Sequence, residues 1–469
     1  MSSLLEVFCW GRGTEDQLGN GLGINSNIPV LVASLPSSAP IAIAAGRSHC
    51  LVVTDDQVVY AWGSNSHGQC GIPPPEEEEE GEEDSSQEPP QTIPLSGNGA
   101  QHVVYPTAIA ALSSENIVAI AAGHFFSAAL SADGSLFTWG RGNEGQLAVG
   151  TAQVVPIPRK VPLSIPLIHV ACGTKHLLAL SLHGDCYAAG RGMEGQLGLG
   201  AAFPVSLTLR YVAALRSIPC VGISCGDNFS AAVSSRGEVF SWGQGSEGQL
   251  GHGEGISEPL PRWIKTLPSC ITSIACGSSH MLACDGGDQL WSWGSNMYGQ
   301  CGLGHRSVVT TPQLVTLPST PLTSMAAGHF YSLALTAGGE LFSWGHCAEG
   351  RLALPNPTDR HEPQLVFMLS GHQTLAVAAG YATGIALGMK LPEETGMHPL
   401  DAAVRLQSNW RGYSDRKRVR ELRDAEQRAA AEAARKQRES EAEAAVLIQA
   451  AMRGYLVRKE RASSKEGGD

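Results

Sequence analysis

The phrase W-G-S-N-M-Y-G-Q-C-G-L-G, from Trp293 to Gly304, constrains this chain more than any other feature because it returns. Copies run Trp10–Gly21, Trp62–Gly71, Trp139–Gly150, Trp242–Gly253 and Trp344–Leu354. A seventh begins at Ala189, where alanine replaces the tryptophan. A second phrase precedes most copies: an aliphatic residue, two small residues, glycine, two residues and often histidine, as in Ile43–His49 and Ile274–His280. The unit recurs about every 51 residues, which is the period of a propeller or solenoid array.

The glycine phrases end at Gly46, Gly123, Gly173, Gly226, Gly277, Gly328 and Gly380, so both phrases have seven copies. The chain opens with an unpaired W-G half and closes with an unpaired glycine-phrase half, Val377–Leu387. The two halves complement each other. A ring whose last blade is built from both termini leaves no exposed strand edge at the seam. The expectation is an all-β, seven-bladed β-propeller over residues 1–390, with Leu4–Asn20 and Val377–Leu387 sharing a blade. A long α-helical tail over 391–469 is expected to follow.

Strand signals inside a unit are short. Ser127–Leu130 and Ser135–Trp139 flank A-D-G and read as two strands joined by a tight turn. The tryptophans or their neighbours are expected to pack between blades. Gly140, Gly190 and Gly243 are expected where a side chain would clash or φ is positive. The 55 glycines therefore mark turns rather than disorder.

One spacing breaks the pattern. Trp62 and Trp139 lie 77 positions apart, about 26 more than the usual step, and the excess at about 73–100 holds P-P-P-E-E-E-E-E-G-E-E-D. With almost nothing apolar to bury, it reads as a disordered acidic loop. A basic partner, including the chain's own tail, is the sharper reading of that charge.

Twelve cysteines could form a disulfide framework, but their places argue otherwise. Cys172, Cys225 and Cys276 fill the small-residue slot before the repeat glycine, and Cys70 and Cys301 replace the leucine of G-Q-L-G. They read as small buried hydrophobes in a reduced compartment. No C-x-x-C pair suggests zinc. No secretory signal precedes Trp10, and no apolar run is long enough to span a bilayer. A cytoplasmic address is expected, with the nucleus or a cytoskeletal or ciliary site as alternatives.

His49, His176 and His280 recur three places after the repeat glycine. A catalytic set would not recur blade by blade, so they read as structural. No phosphate-binding loop, nucleophile elbow or H-E-x-x-H string appears. No catalytic residue, metal site or cofactor is assigned.

The strings A-A-G-x-x-H, D-G-x-L-F-x-W-G and G-Q-L-G-x-G, over about Leu4–Leu387, resemble the regulator of chromosome condensation family of seven-bladed propellers. The resemblance implies a binding platform or, as in the founding member, promotion of nucleotide exchange on a small GTPase. The founding member uses a wedge-like insertion, and the acidic segment here does not align with it. The family's ultraviolet-B receptor uses surface tryptophans in a G-W-R-H-T string that is absent here, so photoreception is not expected.

The tail carries a second signature. Ala402 to Ala462 is rich in Ala, Arg and Glu, contains no proline and should be helical. Leu406, Gln407, Arg411, Gly412 and Arg416 match the IQ motif over 406–416, and Ile448, Gln449, Arg453, Gly454 and Arg458 match it over 448–458. The resemblance implies docking of calmodulin or a related EF-hand protein. The residue chemistry agrees: Ile448, Met452 and Tyr455 recur at helical steps as groove-filling anchors, and Arg453 and Arg458 supply charge for an acidic partner.

Two functions follow as expectations. The first is a regulatory or scaffold protein whose propeller binds an unidentified protein and whose arm binds calmodulin. The second is a guanine nucleotide exchange factor under calmodulin control. Nucleic acid or membrane binding by the tail ranks last, because acids interleave with its basic residues.

Overall fold

Each repeat folds into one four-stranded antiparallel sheet, and there are seven such sheets in the computed structural model. It describes residues 5–73, 101–318, 321–369 and 371–390. The expected helical tail, both IQ motifs and nearly all of the acidic insertion lie outside the described residues.

Six blades are continuous in sequence: 40–108, 117–160, 167–211, 220–263, 271–315 and 322–365. The seventh is shared, as the complementary half-phrases require. Its two inner strands, His372–Ala379 and Thr383–Lys390, come from one end of the propeller chain; its outer strands, Leu5–Gly11 and Ser26–Leu31, come from the other. The seam is a full antiparallel ladder from Leu5↔Met389 to Gly11↔Thr383.

The second strand is buried along its whole length in the six continuous blades and as far as Met389 in the shared one, and the cores lie between adjacent sheets. The repeat tryptophans Trp10, Trp62, Trp139, Trp242, Trp293 and Trp344 are fully buried at these junctions. Each indole donates to a main-chain carbonyl of the preceding blade. Trp62 reaches Gln17, Trp139 reaches Gln69 and Trp242 reaches Gln196, each at 2.9 Å. At the seam, Trp10 reaches Arg351, which stands in the glutamine slot. The glycine of G-Q-L-G makes room for the indole. At Gly251 (φ +75°), a Cβ would lie 2.7 Å from Trp293 Nε1. Gly140, at φ +102°, would drive a Cβ to 2.6 Å from the Phe125 carbonyl, as its place in the repeat predicts.

All twelve cysteines are free. Cys70 and Cys301 are fully buried, but Cys172 and Cys225 are only half-buried, contrary to expectation. They lie at the ends of innermost strands, which face the axial cavity instead of a neighbouring sheet. No helix among the described residues is long and apolar enough to cross a membrane.

Candidate functional site

The repeat brings two kinds of loop to the same end of the ring. The turn after each innermost strand holds the two residues following the repeat glycine. The loop after each third strand begins with W-G, or with Ala189-Gly190 in the third blade. A main-chain hydrogen bond joins the two loops in all seven blades, as from Arg141 N to Phe125 O and from His346 N to Phe330 O. This loop face therefore carries fourteen loops in two rings.

The inner ring holds Arg47, His124, Thr174, Asp227, Ser278, His329 and Tyr381, one per blade, around an axial cavity of about 120 Å³. Main-chain bonds between blades fix them, among them Tyr381 N to Gly46 O at 3.2 Å and His329 N to Tyr381 O at 3.3 Å. The side chains are partnered too. Thr174 donates to Asp227 at 2.9 Å, Ser278 donates to the His329 carbonyl, and Arg47 donates to His124 Nε2 at 3.0 Å.

A continuous line of rings crosses this mouth. It runs from His67 to Phe125 (5.0 Å between centres), His124 (5.0 Å) and Tyr381 (5.5 Å), and on to His329 (3.8 Å, stacked), Phe330 (3.7 Å), Tyr298 (5.1 Å) and His346 (4.1 Å). All eight are part-exposed. Arg47 lies over both Tyr381 and Phe125, and Arg141 lies over Phe125. Aromatic and arginine side chains held rigid and half-exposed are the composition of protein-binding hot spots.

The electrostatics follow from the crowding. Burial, then the charge of Arg47 and that of Lys175, hold the His124 imidazole down at about 3. Burial and then Arg351 do the same for His329, also to about 3. Asp227 keeps 36% of its side chain exposed towards the cavity. Burial still pushes its carboxyl up, with the Thr174 hydrogen bond and Arg47 opposing. The line of rings is therefore uncharged at neutral pH, and its cations are arginines.

Sequence reasoning gathered none of these loop-face residues. They occupy the variable places of each phrase. The available signal was to align the seven repeat glycines and read the next two columns. The motif residues expected to bind a partner, Leu406 to Arg416 and Ile448 to Arg458, are outside the described residues. His49, His176 and His280, expected to be structural, are buried between blades and away from the cavity.

These features place the chain. It belongs to the RCC1-like domain family, whose model matches residues 3–269 and 100–391. The IQ calmodulin-binding motif model matches 400–420 and 442–460, intervals that contain the two motifs read from the sequence. Human E3 ubiquitin-protein ligase HERC2 is 30% identical over 81% of this chain, and the ultraviolet-B receptor UVR8 of Arabidopsis thaliana is 28% identical over 78%. The chain spans only 8% of the ligase and 66% of the receptor. Among solved structures, Prp20p of Saccharomyces cerevisiae, studied for its binding to Gsp1p and histones, superposes with a TM-score of 0.70. It is 23% identical over 87% of this chain and 95% of its own, a likeness of fold.

Proposed function

We propose that this protein is a regulatory scaffold: the loop face of the propeller holds a protein partner, and the C-terminal arm holds calmodulin or a related EF-hand protein. The observation that carries the first half is the eight-ring line across the axial mouth, flanked by Arg47 and Arg141. Such a surface suits side chains of a protein partner, for which half-exposed aromatic and arginine anchors are the usual hot spots. The second half rests on the two IQ intervals. A cytoplasmic address fits both halves.

The test is capture by the tagged full chain from lysate, with and without calcium, followed by identification of the bound chains. Phe125→Ala with Phe330→Ala should release the propeller partner and keep the EF-hand protein. Equal recovery of every partner by the variant would end the platform reading.

A second reading is favoured by family membership: nucleotide exchange on a small GTPase, under calmodulin control. Full-length protein is mixed with small GTPases loaded with a fluorescent nucleotide. Release accelerated about a hundredfold, some 2.7 kcal/mol of barrier, would put exchange first.

A further inference from the structure

The loop face is electrically lopsided. Arg47 and Arg141 lie 5.3 and 5.8 Å from the centre of the same Phe125 ring. Lys175, in the next blade, reaches Glu144 at 3.4 Å. His124 sits among the three: after burial, Arg47, Lys175 and Arg141 all lower its affinity for a proton, and no carboxylate offsets them. Across the mouth, His346 experiences Asp359 and Glu349 as well as Arg351, so charge there is balanced.

Of the other rim arginines among the described residues, Arg191 also lacks a carboxylate partner but does not lie over Phe125, and the remaining two are matched. Arg12 pairs with Glu15 at 3.0 Å, and Arg351 pairs with Glu349 at 2.7 Å. Among the described residues, Arg47 and Arg141 have no carboxylate partner. Asp227 exerts a pull on Arg47 from across the cavity but is hydrogen-bonded to Thr174. A guanidinium laid on a ring keeps its planar N–H edge for an oxyanion.

Two unmatched guanidiniums on one phenyl ring call for about two negative charges at one point. A single carboxylate supplies one. A phosphorylated side chain supplies about −1.5 to −2 at neutral pH, with three acceptor oxygens. We infer that Arg47, Phe125 and Arg141 form a subsite for a phosphorylated side chain of a peptide that docks on the loop face. Phe125 is the floor, the two guanidiniums grip the phosphate, and Tyr381 and His67 offer ring surface to the flanking peptide. The inference rests on the loop face being the binding face, but it is tested without the natural partner.

The probe is a fluorescein-labelled pentapeptide, Gly-Gly-phosphotyrosine-Gly-Gly, titrated into the full-length protein by anisotropy at about 0.15 M ionic strength, where diffuse charge is screened. Its companions carry phosphoserine, plain tyrosine or Glu-Glu at the centre. Either phosphopeptide should bind about tenfold or more tightly than the Glu-Glu and tyrosine peptides. Arg47→Gln and Arg141→Gln should each lose about tenfold, while Arg191→Gln, in the loop of the adjoining blade, should change little. Arg47→Lys should keep part of the affinity, because the charge stays and the fork is lost. The His124 ring resonance, assigned with His124→Gln, should move on binding phosphopeptide, a local sign that altered folding would not give. Equal binding of Glu-Glu, full affinity in both Gln variants, or no phosphopeptide binding would each overturn the subsite. Phosphopeptide binding without any captured protein would instead remove the platform reading and leave the subsite standing.

Discussion

His176 Nε2 lies 2.9 Å from Ser230 Oγ, across the junction between the third and fourth blades. Ser230 donates its own proton to the Gln196 carbonyl at 2.8 Å, so the imidazole must be the donor at Nε2. The same carbonyl also accepts the Trp242 indole. The lock recurs as His49–Ser127–Gln69 and His280–Ser332–Gln300. Where phenylalanine takes the histidine slot, an apolar residue takes the serine slot: Phe126 faces Leu177 in one core, and Phe229 faces Met281 in another. The recurring histidines are thus interblade clamps, each with a fixed tautomer.

The clamps make the ring acid-sensitive. Burial holds His49, His176 and His280 at about 3, 4 and 3, below the usual 6.5. Between those values the unfolded chain binds a proton that the native histidine refuses, so stability falls as pH falls from 6.5 towards 3. Each clamp should lose about 1 kcal/mol between pH 6.5 and 5.5. Urea unfolding at the two pH values measures this. The double change His176→Phe with Ser230→Leu, which copies Phe126 and Leu177, should fold and remove one histidine's share of the dependence. An unchanged dependence would show that His176 takes no part.

Closure makes a second prediction. A chain ending at Leu369 lacks both inner strands of the shared blade and leaves the strand Leu5–Gly11 without its ladder. It should lose the cooperative melting transition, because an apolar face and a strand edge open together. A chain ending at Lys390 is the control and should melt like the full protein. If the shorter chain keeps that melting temperature, the seam does not hold the ring.

The arm makes a third prediction. Gln407 and Gln449 are 42 positions apart, about 63 Å on a continuous helix. Two EF-hand proteins should therefore bind independently, two per chain and at least one without calcium. Calorimetry on peptides 398–422 and 441–465 tests it, and Ile448→Ala with Arg453→Ala should abolish the second site alone. Silence from both peptides, with and without calcium, would end the calmodulin-arm reading.

The ring, its seven blades and the shared seam were legible because they rest on residues that recur in most copies: the tryptophan in six of seven, the glycine beneath it in five, and the glycine of the turn. The clamps were half legible. The histidine recurs visibly, but its serine lies more than fifty positions away and becomes a partner only when blades stack. The loop face was not legible. Tyr381, His329 and Arg47 look like unrelated loop residues until ring closure places the last glycine phrase beside the first.

One junction was legible as a loss but not as a repair. Ala189 holds the tryptophan slot of the third blade. Its neighbours have changed with it: Ala148 replaces the glycine that lies under five of the six indoles (Ala353 holds that place beside Trp10), and Leu177 replaces the serine. The outer strands show the third change. Just before the residue paired with the third strand, six blades have proline: Pro29, Pro106, Pro158, Pro261, Pro312 and Pro363. The third blade has Leu209, which packs on the core containing Ala148, Leu177 and Ala189. Three apolar side chains thus fill the volume of one indole. Ala189→Trp alone should overpack this junction and cost about 1–3 kcal/mol, whereas Trp293→Ala at an ordinary junction should cost about 3–5 kcal/mol. Adding Ala148→Gly and Leu209→Pro to Ala189→Trp should recover the loss, because the indole regains its seat. Residues in contact couple, so the triple variant should be more stable than the sum of the single changes by about 1 kcal/mol or more. Urea unfolding of the three single variants and the triple decides it, and strict additivity would mean that the three substitutions arose without regard to one another's volume.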